Sequence, residues 1–286
     1  MKSCTPLRYP GGKGKLFEYT KSLIQSNFEV PPAYVEVFAG GSGLAMKLLL
    51  SNLVSDVYIN DFDYAVYCVW YSIKHHNKAF VKMIENAELT IDEWQKQKNI
   101  YKHANLRSYS KLEIGFATFY LNRTNRSGII HAGPIGGINQ DGNYKMDCRF
   151  NKKELIIIIK KIGEFRNRIH VSNKDGYKFI QYIDKKLNNT LFYLDPPYVQ
   201  RGPELYKNSF NVEKHIQLYN HVKSLKNAWF MTYDEDDLIK ETYKDFQMQT
   251  FELTYKVQTK RKANEYAIFS NHFSHMPQIY INRLDS

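Results

Sequence analysis

Short apolar runs alternate with amphipathic stretches along most of the chain, which is the pattern of parallel α/β proteins. The apolar runs predict six strands, at residues 34–38, 56–60, 168–172, 190–194, 227–232 and 265–270. The amphipathic stretches predict five helices, at residues 42–51, 152–163, 176–183, 212–224 and 236–243. We therefore expect an α/β fold in which helices cover a mainly parallel sheet.

The pattern changes between residues 62 and 150. Several helix-like segments there lead into "NRTNRSGIIHAGPIGGINQDGNYKMD", which is rich in Gly and Asn and too polar for a buried strand. A long segment of this kind inside a compact domain is typical of a functional insertion. The sequence thus predicts a first domain part at residues 1–61, an inserted region at 62–150 and a second domain part at 151–286.

The charge of the chain narrows the choice of partner. Lys and Arg number 40 against 29 acids, which gives a formal charge of +11, and aromatic residues make up 15% of the chain. A basic excess favours polyanions, and aromatic side chains among basic ones suit stacking on bases. The alternative is a Lys-rich, Asn-rich proteome bias with no nucleic-acid partner.

The remaining composition bears on location and on metals. Cys4, Cys68 and Cys148 are too widely spaced for a disulfide framework or a zinc cluster, which indicates a reducing cytoplasm. No run of about eighteen apolar residues and no basic-then-apolar leader occurs, so we expect neither a membrane span nor secretion. The acidic run at residues 234–237 is better explained by a strand end followed by helix caps, and no metal site is predicted.

The stretch "YVEVFAGGSGLA" (residues 34–45) combines a strand, a glycine-rich turn and the start of a helix. Glycines let backbone amides approach a ligand at the helix N-terminus. The next strand ends at Asp61, where a carboxylate could accept hydrogen bonds from both hydroxyls of a ribose. This pairing indicates an adenosine-containing cofactor, either NAD or S-adenosylmethionine; the alternative is a tight turn followed by an Asp helix cap.

A second glycine turn lies in "PLRYPGGKGKL", near the N-terminus. Gly11 and Gly12 permit a close loop, and the ammonium of Lys13 could neutralise a carboxylate or phosphate of a ligand. A nucleotide-binding P-loop is excluded because no strand precedes the segment and no hydroxyl residue follows the Lys. The alternative is a basic surface loop.

The stretch "TLFYLDPPYV" (residues 190–199) ends a predicted strand on Asp195, at the edge where α/β sheets bind ligands. Pro196 and Pro197 hold the chain extended and leave carbonyl acceptors facing the cleft. A carboxylate, an adjacent carbonyl and the ring of Tyr198 together suit a planar amine such as that of a nucleobase.

These motifs resemble those of a known family. Asp195-Pro196-Pro197-Tyr198 has the form [DNS]PP[YFW] that marks the amino-methyltransferases. The order PGGK loop, FxGxG loop, variable insertion and DPPY resembles the alpha group of DNA adenine methyltransferases, the Dam-like family, over nearly the whole chain. The segment "KRKANEYAIF" (residues 260–269) resembles the basic-acidic segment before that family's last strand.

The resemblance implies a Rossmann-like methyltransferase sheet with helices on both faces and an inserted, mainly helical target-recognition region with a hairpin. It implies S-adenosylmethionine as cofactor and methylation of an adenine amine that is flipped out of duplex DNA. It also implies a cytoplasmic enzyme of bacterial or phage origin, a monomer or weak dimer, that a cognate restriction endonuclease can accompany. No metal and no covalent intermediate are needed.

The same resemblance assigns residues. Asp195 and the Pro196 carbonyl accept the hydrogens of the adenine amine, Pro197 completes the motif, and Tyr198 stacks on the base. The two acceptors orient the amine lone pair and stabilise the positive charge that develops on nitrogen. Cofactor contacts fall on Tyr9, Gly12, Lys13, Glu36, Phe38, Gly40, Gly41, Gly43, Asp61, Asp175 and Asp195. Side-chain chemistry in the inserted loop and the basic segment near the C-terminus predict DNA contacts at Arg123, Arg126, Ser127, His131, Gln140, Lys145, Lys260 and Arg261. The alternative is that Arg123 and Arg126 only contact phosphates or brace the loop.

The predicted recognition loop departs from Dam itself, which reads GATC. Dam has an aromatic residue and an Asn before the loop glycine, where this chain has Arg126 and Ser127 before Gly128, and Dam's base-reading Arg falls near His131. The sequence therefore does not predict GATC as the site. Three other functions stay open: methylation of an RNA or protein amine, a dinucleotide-dependent oxidoreductase, and DNA binding without catalysis.

Overall fold

The computed structural model describes residues 4–8, 13–106, 108–199, 210–256 and 260–279. A seven-stranded sheet has the order β3-β2-β1-β4-β5-β7-β6. The first five strands are parallel, and β7 runs antiparallel to both β5 and β6. The strands are β1 Ala33–Glu36, β2 Val57–Asn60, β3 Ile169–Ser172, β4 Thr190–Leu194, β5 Ala228–Asp234, β6 Gln247–Lys256 and β7 Lys260–Phe269.

Ten α-helices lie in the described part of the chain. They are α1 Phe17–Asn27, α2 Gly43–Leu50, α3 Tyr64–His75, α4 Asn77–Glu85, α5 Ile91–Lys102, α6 Lys111–Thr124, α7 Lys152–Glu164, α8 Gly176–Lys186, α9 Val212–Val222 and α10 Asp237–Thr242. All five predicted helices and all six predicted strands are confirmed to within a few residues. Among the described residues, no helix is both long enough and apolar enough to span a membrane.

The strands read as apolar runs because side chains on both faces of the sheet are buried. Tyr34, Leu191 and Phe230 point into the core beneath the layer that contains α1 to α4, α6 and α7. Their neighbours Val35 and Phe192 point into the core beneath α8, α9 and α10. The fold is therefore a three-layer, Rossmann-like α/β sheet with helices on both faces, as predicted.

The topology brings the motif-bearing strands together. β1 lies between β2 and β4, with Val35 aligned to both Tyr58 and Phe192. Chain order reverses at β1 and β4, and ligands of open α/β sheets bind in the crevice at such a point, beyond the carboxyl ends of the strands. The glycine-rich turn after β1, Asp61 after β2 and Asp195 after β4 all lie at this edge.

Residues 62–150 contribute four helices and a long loop. The helix α3 packs against α6, and the buried residues Trp70, Phe80 and Phe119 belong to the same core cluster as the strand residue Tyr34. The inserted segment and the sheet thus share one continuous core.

The predicted hairpin of this region is wrong in detail. Among the described residues 108–150, the only β pairing is an isolated antiparallel bridge between Asn125 and Pro134. The loop is held instead by positive φ angles at Gly136 and Gly137 and by side-chain hydrogen bonds. Its Gly and Asn content favours such irregular backbone over a strand ladder.

Candidate active site

The glycine-rich turn after β1 lets a ligand come close to the backbone. Gly40 has a φ of 44°, in the region that favours glycine, and its N–H donates to Asp61 Oδ2 at 2.8 Å. The indole N–H of Trp70 donates to the Gly40 carbonyl at 2.9 Å. A Cβ on Gly43, the first residue of α2, would lie 3.3 Å from the Thr5 methyl. The turn is therefore fixed on both sides, with the N-terminus of α2 at the crevice.

Asp61 is anchored as an acceptor. Its Oδ1 accepts the backbone N–H of Asp63 at 2.9 Å, and each carboxylate oxygen keeps a further lone pair for a ligand. Burial and the Asp63 carboxylate raise the pKa of Asp61 to about 7. A group of this kind can exchange protein contacts for ligand contacts near neutral pH.

Glu36 lies beneath the glycine-rich turn. It is only 4% exposed, and its Oε1 accepts the Ala45 N–H at 3.1 Å. Burial raises the pKa of Glu36 to about 8, against an opposing hydrogen bond from Ser42. The contacts of Glu36 show it supporting the turn and the first residues of α2 from below.

Phe38 and Asp175 flank the crevice on the side of α8. The Phe38 ring packs edge-on against Phe210 at 5.8 Å between centroids, and a Cβ on Gly176 would lie 3.4 Å from that ring. Asp175 caps α8 by accepting the N–H of Tyr177 through Oδ1. The buried amide of Asn60 ties the two loops together, since it donates to the carbonyls of Val37 and Lys174.

Asp195 follows β4 with its side chain 23% exposed. Its Oδ1 accepts the Thr232 hydroxyl at 3.1 Å, and Tyr193 and Thr232 share a hydrogen bond of 2.8 Å. Because Thr232 donates to Asp195, the Tyr193 hydroxyl is the donor to Thr232. Within the described part of the chain, no hydrogen bond or ion pair involves Asp195 Oδ2.

Lys13 places a buried cation at the same point. Its Nζ lies 3.2 Å from Asp195 Oδ1, donates to the Tyr198 hydroxyl at 2.6 Å and lies 3.5 Å from Glu265 Oε2. The Tyr198 hydroxyl donates in turn to Glu265 Oε2 at 2.8 Å. Burial raises the pKa of Tyr198 well above its ordinary value, so the phenol is neutral. The PGGK and DPPY motifs thus meet in one cluster.

The two prolines follow Asp195 outside any helix or strand. Pro196 is buried and Pro197 half-buried, and the chain after them is tied to β5 because the Val199 N–H donates to Asp234 Oδ1 at 3.1 Å. This attachment fixes the direction of the Pro196 carbonyl relative to the sheet.

Arg126 and His131 are the exposed members of the predicted DNA-contact set near the start of the loop. Ser127 beside Arg126 has a φ of 56°. Arg123 instead braces the structure, since its Nε donates to the Arg149 carbonyl at 2.8 Å. Burial and the nearby Arg8 and Arg149 lower the pKa of Arg123 to about 10.

Gln140 and Lys145 are also engaged within the loop. The Gln140 amide donates to the carbonyls of Ile135 and Gly137 and accepts the Met146 N–H at 3.0 Å. Lys145 donates to the Gln140 carbonyl. Both side chains therefore maintain the loop conformation in this structure.

Some predicted residues cannot be placed. Tyr9 and Gly12 lie outside the described residues, as do the side chains of Lys260 and Arg261, whose backbone begins β7. In the described residues, no group of three or more His, Cys, Asp or Glu side chains is arranged to hold a metal ion.

Sequence reasoning missed four residues that the structure brings to the site: Thr5, Thr232, Glu265 and Asn122. Thr5 donates to the Gly41 carbonyl, and Asn122 at the end of α6 exchanges hydrogen bonds with the backbone of Arg8. Thr5 is thereby fixed to the glycine-rich turn, and Arg8 is fixed to Asn122, which also donates to the Gly128 carbonyl of the recognition loop. Only Glu265 had a sequence signal, as the single acid in the basic stretch "KRKANEYAIF".

A family model for D12 class N6 adenine-specific DNA methyltransferases matches residues 9–261, which include the PGGK, FxGxG and DPPY motifs and the first two residues of the segment 260–269. The chain belongs to this family. As a D12 class enzyme it methylates DNA adenine with S-adenosylmethionine, and the predicted reaction and cofactor are confirmed. The family match selects this function over the oxidoreductase and the non-catalytic DNA-binding protein.

No curated protein matches the D12 class chain in sequence. Solved structures with a similar arrangement include a suggested RNA methyltransferase from Pyrococcus horikoshii (11% identity, 92% of this chain and 85% of the other, TM-score 0.41). Two others are the rRNA methyltransferase aviRa of Streptomyces viridochromogenes (8%, 92% and 86%, 0.39) and a SAM-dependent methyltransferase of Agrobacterium tumefaciens (12%, 90% and 62%, 0.39).

The residues of the crevice fit S-adenosylmethionine. The glycine-rich turn and the N-terminus of α2 let a ligand approach the backbone closely, Asp61 has spare acceptor capacity for hydroxyls, and Phe38 supplies an apolar ring. The ammonium of Lys13 provides positive charge at the end nearest Asp195.

Proposed function

We propose that Asp195 is the acceptor that orients the target adenine amine for methyl transfer. The proposal is carried by one observation: Thr232 and Lys13 both contact Oδ1 of Asp195. This leaves Oδ2 as the oxygen that accepts from the substrate. With the Pro196 carbonyl as second acceptor, Oδ2 turns the amine lone pair out of conjugation and stabilises positive charge developing on nitrogen. Tyr198 stacks on the base, and Pro197 keeps it in line with the acceptors.

The cofactor roles follow from the same crevice. When bound, S-adenosylmethionine supplies an activated methyl group on its sulfonium sulfur. Asp61 accepts the ribose hydroxyls, Gly40, Gly41 and Gly43 face the ligand through backbone, and Phe38 and Asp175 border the adenine. Tyr9, Gly12 and Lys13 bind the methionine end. Glu36 acts from below, by holding the turn in place.

The substrate is duplex DNA from which the adenine is flipped. A base within a duplex cannot reach an acceptor at the floor of a crevice, because stacking shields its faces and pairing occupies its amine. Asp195 is only 23% exposed, so the base must leave the helix to meet it. The formal charge of +11 supports binding to the phosphate backbone.

Sequence recognition belongs to the loop after α6. Arg126 and His131 are exposed there, and Arg is well shaped for bidentate contact with guanine. Arg123, Gln140 and Lys145 maintain the loop, and Ser127 sets its turn. Lys260 and Arg261 contribute phosphate contacts. This division favours Arg126 and His131 as the base-reading pair.

The three parts of the chain then divide the work. Residues 1–61 and 151–286 bind cofactor and carry out transfer, and residues 62–150 contact the target DNA. A duplex carrying photoreactive bases should crosslink within residues 62–150. Crosslinks confined to residues 212–256 would contradict this division.

The proposal extends to the cellular setting. The enzyme works in a bacterial or phage-infected cytoplasm, as a monomer or weak dimer, with any cognate restriction endonuclease acting independently. The free thiols of Cys4, Cys68 and Cys148 support a reducing compartment. Sedimentation across a concentration series tests the oligomeric state, and a tight dimer at nanomolar concentration would overturn it.

Asp195→Asn and Thr232→Val together test the catalytic proposal. Asp195→Asn removes the negative charge but keeps an acceptor oxygen, and it should slow turnover more than Thr232→Val, which only frees Oδ1 and should slow turnover by about 10-fold, the worth of one hydrogen bond to a charged group. Cofactor dissociation constants should stay within a few-fold of wild type for both. Full activity in Asp195→Asn would sink the role of Asp195.

A further inference from the structure

Glu265 is a buried carboxylate that the reaction scheme above leaves without a role. It lies on β7, is 1% exposed, and stands opposite Asp234 on β5. Burying a carboxylate is unfavourable unless charge and hydrogen bonds compensate it. The compensation here is incomplete, since Oε2 accepts the Tyr198 hydroxyl while Oε1 has no partner among the described residues.

The groups that offset the burial of the Glu265 charge are Lys13 and Tyr198, which also belong to the cluster around Asp195. Lys13 Nζ lies 3.5 Å from Glu265 and 3.2 Å from Asp195, so two carboxylates share one buried ammonium. Lys13 also donates to the Tyr198 hydroxyl, which donates onward to Glu265, and this gives one continuous donor chain. Any change in the charge of Glu265 therefore acts on both Lys13 and Tyr198.

The competition between the carboxylates has a direct chemical consequence. A carboxylate that is fully paired with an ammonium is a weaker acceptor for a substrate amine, because the cation withdraws the charge that stabilises the developing positive nitrogen. Glu265 shares Lys13 with Asp195, at 3.5 Å against 3.2 Å, and so limits the pairing of Lys13 with Asp195. It also holds the Tyr198 ring through the hydroxyl at the ring edge.

We infer that Glu265 is a positioning residue for methyl transfer, which preserves the acceptor strength of Asp195 by holding Lys13 and orients the ring of Tyr198 through its hydroxyl. The inference rests on the proposed roles of Asp195 and Tyr198. Glu265 itself does not touch the substrate. Its loss should lower the rate of the chemical step and leave DNA affinity nearly unchanged.

The acid side of the pH profile gives a readout that a purely structural role would not change. The titratable groups facing Glu265 are Lys13, Asp195, the neutral phenol of Tyr198 and, across the strand pair, Asp234. Burial raises the pKa of Glu265 above its ordinary 4.5, against the opposing charge of Lys13. Protonation of Glu265 releases Lys13 to Asp195, so the wild-type rate should fall as pH is lowered through this raised pKa.

The experiment measures the pH dependence of single-turnover methyl transfer to duplex DNA, with S-adenosylmethionine saturating at every pH so that the titration of Asp61 does not contribute. We compare wild type with Glu265→Gln, which keeps the shape and an acceptor for Tyr198 but loses the charge. The matched control is Glu252→Gln, an exposed carboxylate on the neighbouring strand β6. Glu265→Gln should slow transfer at pH 8 by about 10- to 100-fold, the range for a hydrogen bond to a charged group, and should lose the acid limb. Glu252→Gln should match wild type.

Tyr198→Phe covers the case in which Glu265→Gln folds poorly. It keeps the stacking ring and removes the hydroxyl that joins Lys13 to Glu265, so it should also slow transfer, and its effect should not add to that of Glu265→Gln in a double-mutant cycle. Thermal melting and cofactor binding check folding for every variant. A Glu265→Gln enzyme with wild-type rate and pH profile, or full additivity in the cycle, would overturn the inference. A wild-type enzyme inactive on DNA adenine would instead refute the proposed function.

Discussion

Binding of S-adenosylmethionine should depend on pH through Asp61. Burial and the Asp63 carboxylate raise the pKa of Asp61 to about 7, so the group titrates within the physiological range. The ionised carboxylate can accept hydrogen bonds from both ribose hydroxyls, whereas the protonated form turns one oxygen into a donor. Cofactor affinity should therefore fall as pH is lowered from 8 to 6.

The expected change in cofactor affinity follows from the raised pKa of Asp61. With a pKa of about 7, roughly nine-tenths of Asp61 is protonated at pH 6 and one-tenth at pH 8. If only the ionised form binds well, the dissociation constant at pH 6 should exceed that at pH 8 by about tenfold. A tenfold change corresponds to about 1.4 kcal/mol, just below the roughly 1.5 to 3 kcal/mol expected for one hydrogen bond to a charged group.

Isothermal titration calorimetry at pH 6, 7 and 8 measures this dependence in wild type and Asp61→Asn. The Asn variant should bind more weakly at pH 8 and show little change with pH. Asp63→Asn keeps the cap of α3, because Asn caps helices as well as Asp, and should move the midpoint to lower pH by removing a like charge. An equal slope in wild type and Asp61→Asn would refute the role of Asp61.

Three further predictions concern stability and recognition. The pKa of Glu36 is about 8 in the folded protein and 4.5 ordinarily, so between these pH values the folded state holds a proton that the unfolded state has lost. The unfolding free energy should therefore decrease as pH rises from 4.5 to 8. Urea titrations should show a flatter pH dependence in Glu36→Gln, and an unfolding free energy that increases with pH in wild type would contradict the prediction. Gly128 has a φ of 76°, and a Cβ there would lie 2.5 Å from the Arg8 carbonyl oxygen. Gly128→Ala should therefore lower the unfolding free energy by about 1 to 3 kcal/mol. The control Gly14→Ala should leave it unchanged, because a Cβ on Gly14 would meet no atom within 4 Å. Arg126→Ala should relax preference at one base when a randomised duplex pool is methylated, while Gln140→Ala should loosen the loop; an unchanged site preference in Arg126→Ala would mean that Arg126 contacts only phosphate.

Much of the fold could be predicted because the parallel strands are buried on both faces. Their apolar runs, such as "TLFYL", stand out from the surrounding sequence. The strand β6 was missed because it lies at the edge of the sheet, where "QMQTFELTYK" carries polar residues at most positions. An edge strand has one unpaired side and needs no continuous apolar run.

The candidate site was predictable only where a motif marked it. The strand order brings Asp61, the glycine-rich turn and Asp195 to one edge, as expected from parallel strands that end in functional residues. Thr232 and Thr5 carry no local signal, because their importance comes from contacts with residues distant in sequence. The same limit applies to Gln140, whose side chain suits adenine by chemistry but hydrogen-bonds to its own loop.

The central claim is that this D12 class enzyme transfers methyl to the adenine amine of duplex DNA with Asp195 as the orienting acceptor. Purified wild type and Asp195→Ala, incubated with labelled S-adenosylmethionine and matched DNA and RNA duplexes, test it directly when the digested nucleosides are separated. We predict label in N6-methyladenine from DNA alone with wild type, and none with Asp195→Ala although that variant still binds cofactor. Label in cytosine, in RNA or in the protein, or undiminished adenine methylation by Asp195→Ala, would contradict the account.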